Sequence, residues 1–460
     1  MISERWLLRI WLAAAGLLVL IGSVLGTAFL VGEAYRGTAL LSERQSAFIL
    51  GISEFPTVVR RAIRESAGRL RGEPTSLLVD RTSVETPAWT RRFPAPEDPG
   101  YLLFAGLDAR THRNLVRLIR IADGAEAGHW APDWDAIYQK STRKRWSNRF
   151  TSRELLPLNP LLLEDGSIVF NTGNAVVRSA ACATSPMWVL DHIGHHSVER
   201  GIDDSVWVPS IADEPYSDIP ALQRSLRMDS LAHISLDGRL LENRSLATIL
   251  EQNGLTGLLG GLRDFTLNVD EPIHLNQISV APSDGQYWQR GDLLLSSRHL
   301  SALFLYRPST NRVLWHGMGP WMNQHSARFL DDHRISIFDN NSLRIAGREG
   351  FLHRGDTNRV LVYDFETGTV SEPFAALLAQ ARPVTRSEGL ARLLPDGGLF
   401  VEETNQRRLL RFSADRLLWS FVNDYDASHI GAVSWSRYLT AGEAAVVLPA
   451  LQQACGAAHP

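Results

Sequence analysis

The rhythm of apolar and polar residues changes twice along the chain. From Ile10 to Gly32 there are 23 residues without a charge. Between about 33 and 98, stretches such as LLSERQSAFILG and TVVRRAIRESAGRL space their apolar residues three and four apart, which predicts helix. The proline-rich FPAPEDPG at 93–100 then marks a boundary. Beyond it come short alternating or continuous apolar runs between turn residues, the pattern of β-strands.

Those runs repeat. Asp-Gly pairs recur at Asp123, Asp165, Asp237, Asp284 and Asp396, and suit hairpin turns that need positive φ. A late strand of several units carries tryptophan, at Trp130, Trp188, Trp315 and Trp419. Aligned on these features, units begin near Asn159, His196, His274, His325 and Glu388, with spacings of 37 to 78 residues, propeller-blade length plus insertions. One insertion, SLATILEQNGLTGLL at 245–259, reads as helix. A sixth unit, 101–130, offers outer strands without an inner one. The orphan strand HIGAVSWSRYL at 429–439 supplies it from the other end of the chain, which removes a free sheet edge. The expected fold is therefore all-β, a six-bladed β-propeller over 99–445. An anchor at 1–35, a helical linker segment at 36–98 and a tail at 446–460 complete the chain.

The uncharged run is long enough for roughly 34 Å of helix against a ~30 Å hydrocarbon core. Arg5 and Arg9 before it favour a cytoplasmic N-terminus. The expectation is a single transmembrane helix with the propeller outside the cytoplasm; a cleaved signal peptide ending near Ala28 is the competing reading. Net charge is −3, which gives no basic field for nucleic acid. Two cysteines, Cys182 and Cys455, are too few for a disulfide scaffold or a cysteine metal site, although export would permit a bond between them.

The innermost strand of each blade lines the central channel, so polar residues at its start face the axis. His196, His274 and His325, from three consecutive units, are expected to converge at one end. Arg298 ends the run DLLLSSR after the His274 strand, and Asn276 falls two residues after His274, on the same face by strand periodicity. Asn340 and Asn341 in SIFDNN read as turn formers. Three imidazoles could hold zinc, but an arginine beside them disfavours a dication, so no metal or other cofactor is expected. Imidazoles with a guanidinium fork instead suit an anionic oxyacid group. A neutral imidazole there can attack, and its neighbours can exchange protons.

At these residues the chain resembles the arylsulfotransferase family, the kind that works without a phosphoadenosine sulfate donor. The resemblance is carried by HHS at 195–197, HLNQI at 274–278 with LLLSSR ending at Arg298, and QHSARFLDDHRISIFDNN at 324–341. It implies that His325 takes a sulfuryl group from a phenolic sulfate ester and passes it to a phenol through a sulfohistidine. His196, His274 and Arg298 would serve as the other catalytic residues. His195, Asn276 and Glu388 are expected to bind substrate, with Glu388 and Asn159 standing at ring positions where other blades show histidine. It also implies a periplasmic location, here on a bacterial inner-membrane anchor, with small-molecule aryl sulfate and phenol as partners. The alternative class is a non-catalytic anchored propeller that holds a ligand in its channel.

Overall fold

The structure is a computed structural model, and it describes residues 4–36, 45, 48–49, 77–81, 94–142, 152, 155–212, 228–261, 272–343, 352–353 and 355–456. The chain divides into two compact units, Met1–Thr75 with Ile345–Gly350, and Ser76–Arg344 with Phe351–Pro460. In the first unit the apolar run is a helix, Glu4–Arg36. Its window Ala15–Glu33 has mean hydropathy 2.2 and is long and apolar enough to cross a membrane.

The second unit contains six four-stranded antiparallel sheets. Blade two comprises Leu158–Leu162, Ile168–Asn171, Val176–Ser179 and Pro186–Leu190. Blade three comprises Glu199–Arg200, Ser205–Ile211, Asp229–Ser235 and Leu240–Ser245. Blade four comprises Leu275–Val280, Leu293–Ser297, Ala302–Arg307 and Arg312–Gly317. Blade five comprises Ser326–Phe329, Arg334–Asp339, Arg359–Asp364 and Val370–Ser371. Blade six comprises Leu390–Leu393, Leu399–Glu403, Arg408–Phe412 and Leu417–Val422. Blade one draws on both ends of the unit. Arg437–Leu439 is its inner strand, followed by Tyr101–Asp108, Arg113–Arg120 and Glu126–Trp130.

The ring closes where Tyr101, Leu102 and Leu103 pair with Leu439, Tyr438 and Arg437. The closing segment is shorter than expected, because 429–439 is not one strand. Its first part, His429–Gly431, leaves the blade and pairs with Leu78–Asp80. That short strand lies inside the segment expected to be helical, most of which falls outside the described residues. The C-terminal tail instead enters a helix, Ala441–Gly456, whose Val447 and Leu451 share a core with Trp130. Cys182 and Cys455 are disulfide-bonded, which fastens this helix to blade two.

The four tryptophans do lie on outermost strands, and Trp130 and Trp419 are fully buried. Trp130 Nε1 donates to the Gly166 carbonyl of the next blade's hairpin at 3.1 Å, so the aromatic ties neighbours together. Four of the five Asp-Gly turns have the expected positive φ at glycine, between 75° and 89°. Asp284-Gly285 does not; in that longer connection Gly291 takes the left-handed conformation instead, at φ 92°. The insertion at 245–259 forms two short helices, Leu246–Gln252 and Gly257–Gly261.

Candidate functional site

Three inner strands start from a residue held in the left-handed region: His196 (φ 56°) in blade three, His274 (φ 53°) in blade four and Trp435 (φ 51°) in blade one. Asn159, near the start of the blade-two strand, has φ 49°. Blades five and six place Asn323 (φ 52°) and Gly389 (φ 108°) beside His325 and Glu388. Non-glycine residues accept this conformation only where surrounding contacts hold them, and such strain gathers at functional sites.

The three histidines meet. Ring centroids of His196 lie 4.9 Å from His274 and 6.1 Å from His325, and His274 lies 6.4 Å from His325. Blades three and five are not neighbours, so the cluster spans the channel. Two residues that sequence reading passed over join it: His299, 4.5 Å from the His274 ring, and Trp435, 5.7 Å from His196 across the axis. Trp435 is positioned by a buried carboxylate. Glu402 accepts from the Trp435 and Ser436 amides at 2.8 and 2.6 Å, and burial pushes its pKa up to about 7.

The repeated His-Ser pair now has a structural basis. Ser197 Oγ accepts the Ile278 amide at 3.0 Å, and Ser326 Oγ accepts the Ala391 amide at 3.3 Å, so each serine ties its inner strand to the following blade's. Each histidine before it is thereby fixed at the mouth.

Hydrogen bonds assign the proton on His325. Asn340 Nδ2 donates to the carbonyls of Thr385 and Glu388 at 2.9 and 2.8 Å. Its Oδ1 therefore faces His325 Nδ1 at 2.6 Å and can only accept. Nδ1 carries the proton, and Nε2 is a lone pair, buried without a hydrogen-bond partner among the described residues. The ring is 1% exposed. Burial, then the charge of Arg298 and the neighbouring imidazoles, holds its pKa well below the usual histidine value. Burial and the charges around His274, chiefly His299 and His196, do the same to that ring. Both are neutral at neutral pH. Asn340 was expected to be a turn former; it is instead the residue that orients His325.

His195 stands behind His196 rather than in the mouth. Its Nε2 faces the Ser210 carbonyl at 3.1 Å and Asp229 Oδ1 at 3.2 Å, both acceptors. In the neutral ring Nδ1 then accepts from His196 Nδ1, 2.8 Å away, which leaves Nε2 as the basic atom of His196. Asp229 also accepts the Leu275 amide at 2.6 Å, next to His274, so one buried carboxylate orders two blades' histidines. The two-residue period expected to relate Asn276 to His274 is interrupted, because His274 lies before the strand at positive φ. A bulge between Leu275 and Gln277 sends the Asn276 amide to the Gln324 carbonyl at 2.7 Å, where it braces the segment before His325.

Arg298 is 5% exposed, and its backbone N–H donates to the His274 carbonyl at 2.9 Å. Its charge acts on His274, His325 and Glu388. Burial pushes the Glu388 carboxyl up, against the pull of Arg407 and Arg298, and Asn405 donates to it at 3.1 Å. Nitrogen atoms of His196, His274 and His325 lie within 4.8 Å of one another, a spacing that could hold a metal ion. The Arg298 cation acting on the same rings opposes a dication there.

The arrangement is a set of buried and half-buried imidazoles, those of His274 and His325 neutral, with a guanidinium beside them, suited to receive a small oxyanion and exchange protons with it. A family model for arylsulfotransferases (ASST) matches residues 166–424, which includes His195, His196, His274, His299 and His325 with Arg298 and Asn340. No curated protein matches the chain. Similar solved structures include a protein of unknown function from Bacteroides caccae, 11% identical, TM-score 0.43, covering 73% of this chain and 98% of that one. TolB from Acinetobacter baumannii is also 11% identical, with TM-score 0.43, covering 75% of this chain and 68% of its own. The WD40 propeller domain of Doa1 is 12% identical, with TM-score 0.36, covering 77% and 95%. The family match spans more than half of the sequence: the chain belongs to the arylsulfotransferase family.

Proposed function

We propose that the protein transfers a sulfuryl group from an aryl sulfate ester to a phenol through a sulfohistidine at His325. The observation that carries this reading is the buried, proton-free Nε2 of His325 beside Arg298. In the first half-reaction Nε2 forms a bond to sulfur while the sulfur–oxygen ester bond breaks. The departing phenolate takes a proton from His196, which enters this step as the imidazolium protonated on Nε2, while neutral His274 lies beside it. In the second, the neutral His196 accepts the proton of the incoming phenol, whose oxygen attacks sulfur and frees the His325 Nε2. Arg298 presents its fork to the sulfuryl oxygens, whose charge must be stabilised at a loose transition state. The experiment is intact-mass analysis after brief mixing with 4-nitrophenyl sulfate. A gain of one SO3, mapped to His325, is the expected result; no adduct with any aryl sulfate would favour the non-catalytic channel.

The pH profile should follow from the neutral nucleophile. A depressed pKa keeps Nε2 proton-free below the ordinary histidine value of 6.5, so the single-turnover rate should hold its plateau through that pH and fall only below it. In Asn340→Asp a carboxylate would face Nδ1–H and favour the imidazolium, moving the acid limb up by about one pH unit or more. A lower rate with an unmoved limb would mean that Asn340 only supports the loop.

The same reading anchors the enzyme by its N-terminal helix, with the propeller on the extracytoplasmic side. Alkaline carbonate should leave the full-length chain in the membrane. A soluble mature chain beginning near Phe29 would identify a cleaved signal instead.

A further inference from the structure

The channel has a second end. The His-Ser pairs continue as His196-Ser-Val-Glu199 and His325-Ser-Ala-Arg328, and the third residue after each histidine reaches the axis further along. Arg328 Nη2 donates to Glu199 Oε1 at 3.0 Å. Gln277 donates to the same oxygen at 3.1 Å, and Arg437 reaches Glu199 Oε2 at 3.4 Å and Asn159 Oδ1 at 2.6 Å. These side chains come from blades one to five, and several contacts join blades that are not neighbours, so the network crosses the channel as a plug.

Beyond the plug, where the inner strands end, lies a cavity of about 540 Å³. This is within the range of small-molecule sites. Its charged lining is Arg328, Arg392 and Arg437 with Glu199 and Glu443, three guanidinium groups against two carboxylates. Arg392 is matched to Glu443 at 2.5 Å. Arg328 and Arg437 must share Glu199, and the Nε atom of each is buried without a hydrogen-bond partner among the described residues. Burial lowers the pKa of Arg437, and the two arginines hold Glu199 below the usual range although burial opposes this. One positive charge is therefore left over in a partly dry place, which is costly unless an anion meets it. Val280, Phe329, Leu330 and Leu393 make much of the remaining wall apolar.

We infer that this far cavity binds a singly charged organic anion, a sulfonate or carboxylate on an apolar body, at Arg328 and Arg437. The site is separate from the histidine mouth and independent of the transfer chemistry. Its test is a fluorine NMR titration of full-length protein in maltoside micelles with para-trifluoromethylbenzenesulfonate, whose carbon–sulfur bond cannot donate a sulfuryl group. Neutral para-trifluoromethylbenzenesulfonamide is the comparator. Saturable binding of the sulfonate is expected in wild type and unchanged in His325→Ala. It should weaken about tenfold or more in Arg328→Gln, which removes one charged donor. Leu330→Trp fills the cavity from a side chain that is 36% exposed, so the fold tolerates it, and binding should weaken similarly. If Arg328→Gln does not fold, Leu330→Trp decides alone. Equal binding of the sulfonamide, loss of binding in His325→Ala, retention in Leu330→Trp, or only unsaturable partition into micelles would each overturn the inference.

Discussion

His325→Ala is expected to eliminate both half-reactions, with the single-turnover rate on 4-nitrophenyl sulfate falling by roughly four orders of magnitude or more, the scale on which loss of a covalent nucleophile acts. The neighbours do not replace it. His274 is also neutral, held so by burial and the charges of His299 and His196, whereas at His325 the Asn340 amide fixes Nε2 as the bare nitrogen. The basic nitrogen of His196 depends on a relay through His195 to Asp229. Because the alanine leaves space where the ring stood, added imidazole should recover part of the phenol release while no sulfuryl adduct forms on the protein. A phenol burst with an adduct in His325→Ala would move the nucleophile to His196 or His274.

Arg298→Lys should lower kcat/KM by about 10²- to 10³-fold, comparable with removing one preorganised donor from an oxyanion site. A lysine keeps the charge but not the planar fork, so it cannot meet two sulfuryl oxygens together. This substitution also separates the two tasks of the residue. Among the charges around His325, Arg298 contributes most to holding its pKa down, after burial. With the charge retained, the acid limb of the pH profile should stay in place while the rate falls. A wild-type rate in the lysine variant would show that charge alone suffices.

The blades were legible because most of them repeat a local pattern: alternating strands, Asp-Gly turns and an outer tryptophan need only neighbours in sequence. The phase of His196, His274 and His325 was legible for the same reason. What could not be read depended on departures from that regularity or on distant partners. Asn276 was assigned to the histidine face by a period of two, which a bulge between Leu275 and Gln277 interrupts. The strand 429–439 looked continuous, yet its first residues pair with Leu78–Asp80, more than 300 positions away in the chain. His299 lies directly after Arg298, so its proximity to His274 was open to inference from the sequence. Asp229 and Glu402 carried no such signal, since their value lies in the buried amides and imidazole they meet. Asn340 stood in plain view in the SIFDNN motif, but asparagine in a turn sequence gives no sign that its amide is spoken for on both sides.

Among the described residues, the plug at Glu199 stands between the histidine chamber and the far end of the channel. In the proposed transfer, the spent phenol and the incoming acceptor would then share the near opening and use it in turn. Donor phenols that leave slowly should therefore obstruct acceptors of any chemistry, and the enzyme's preference among acceptors will be set partly by how quickly its previous guest departs.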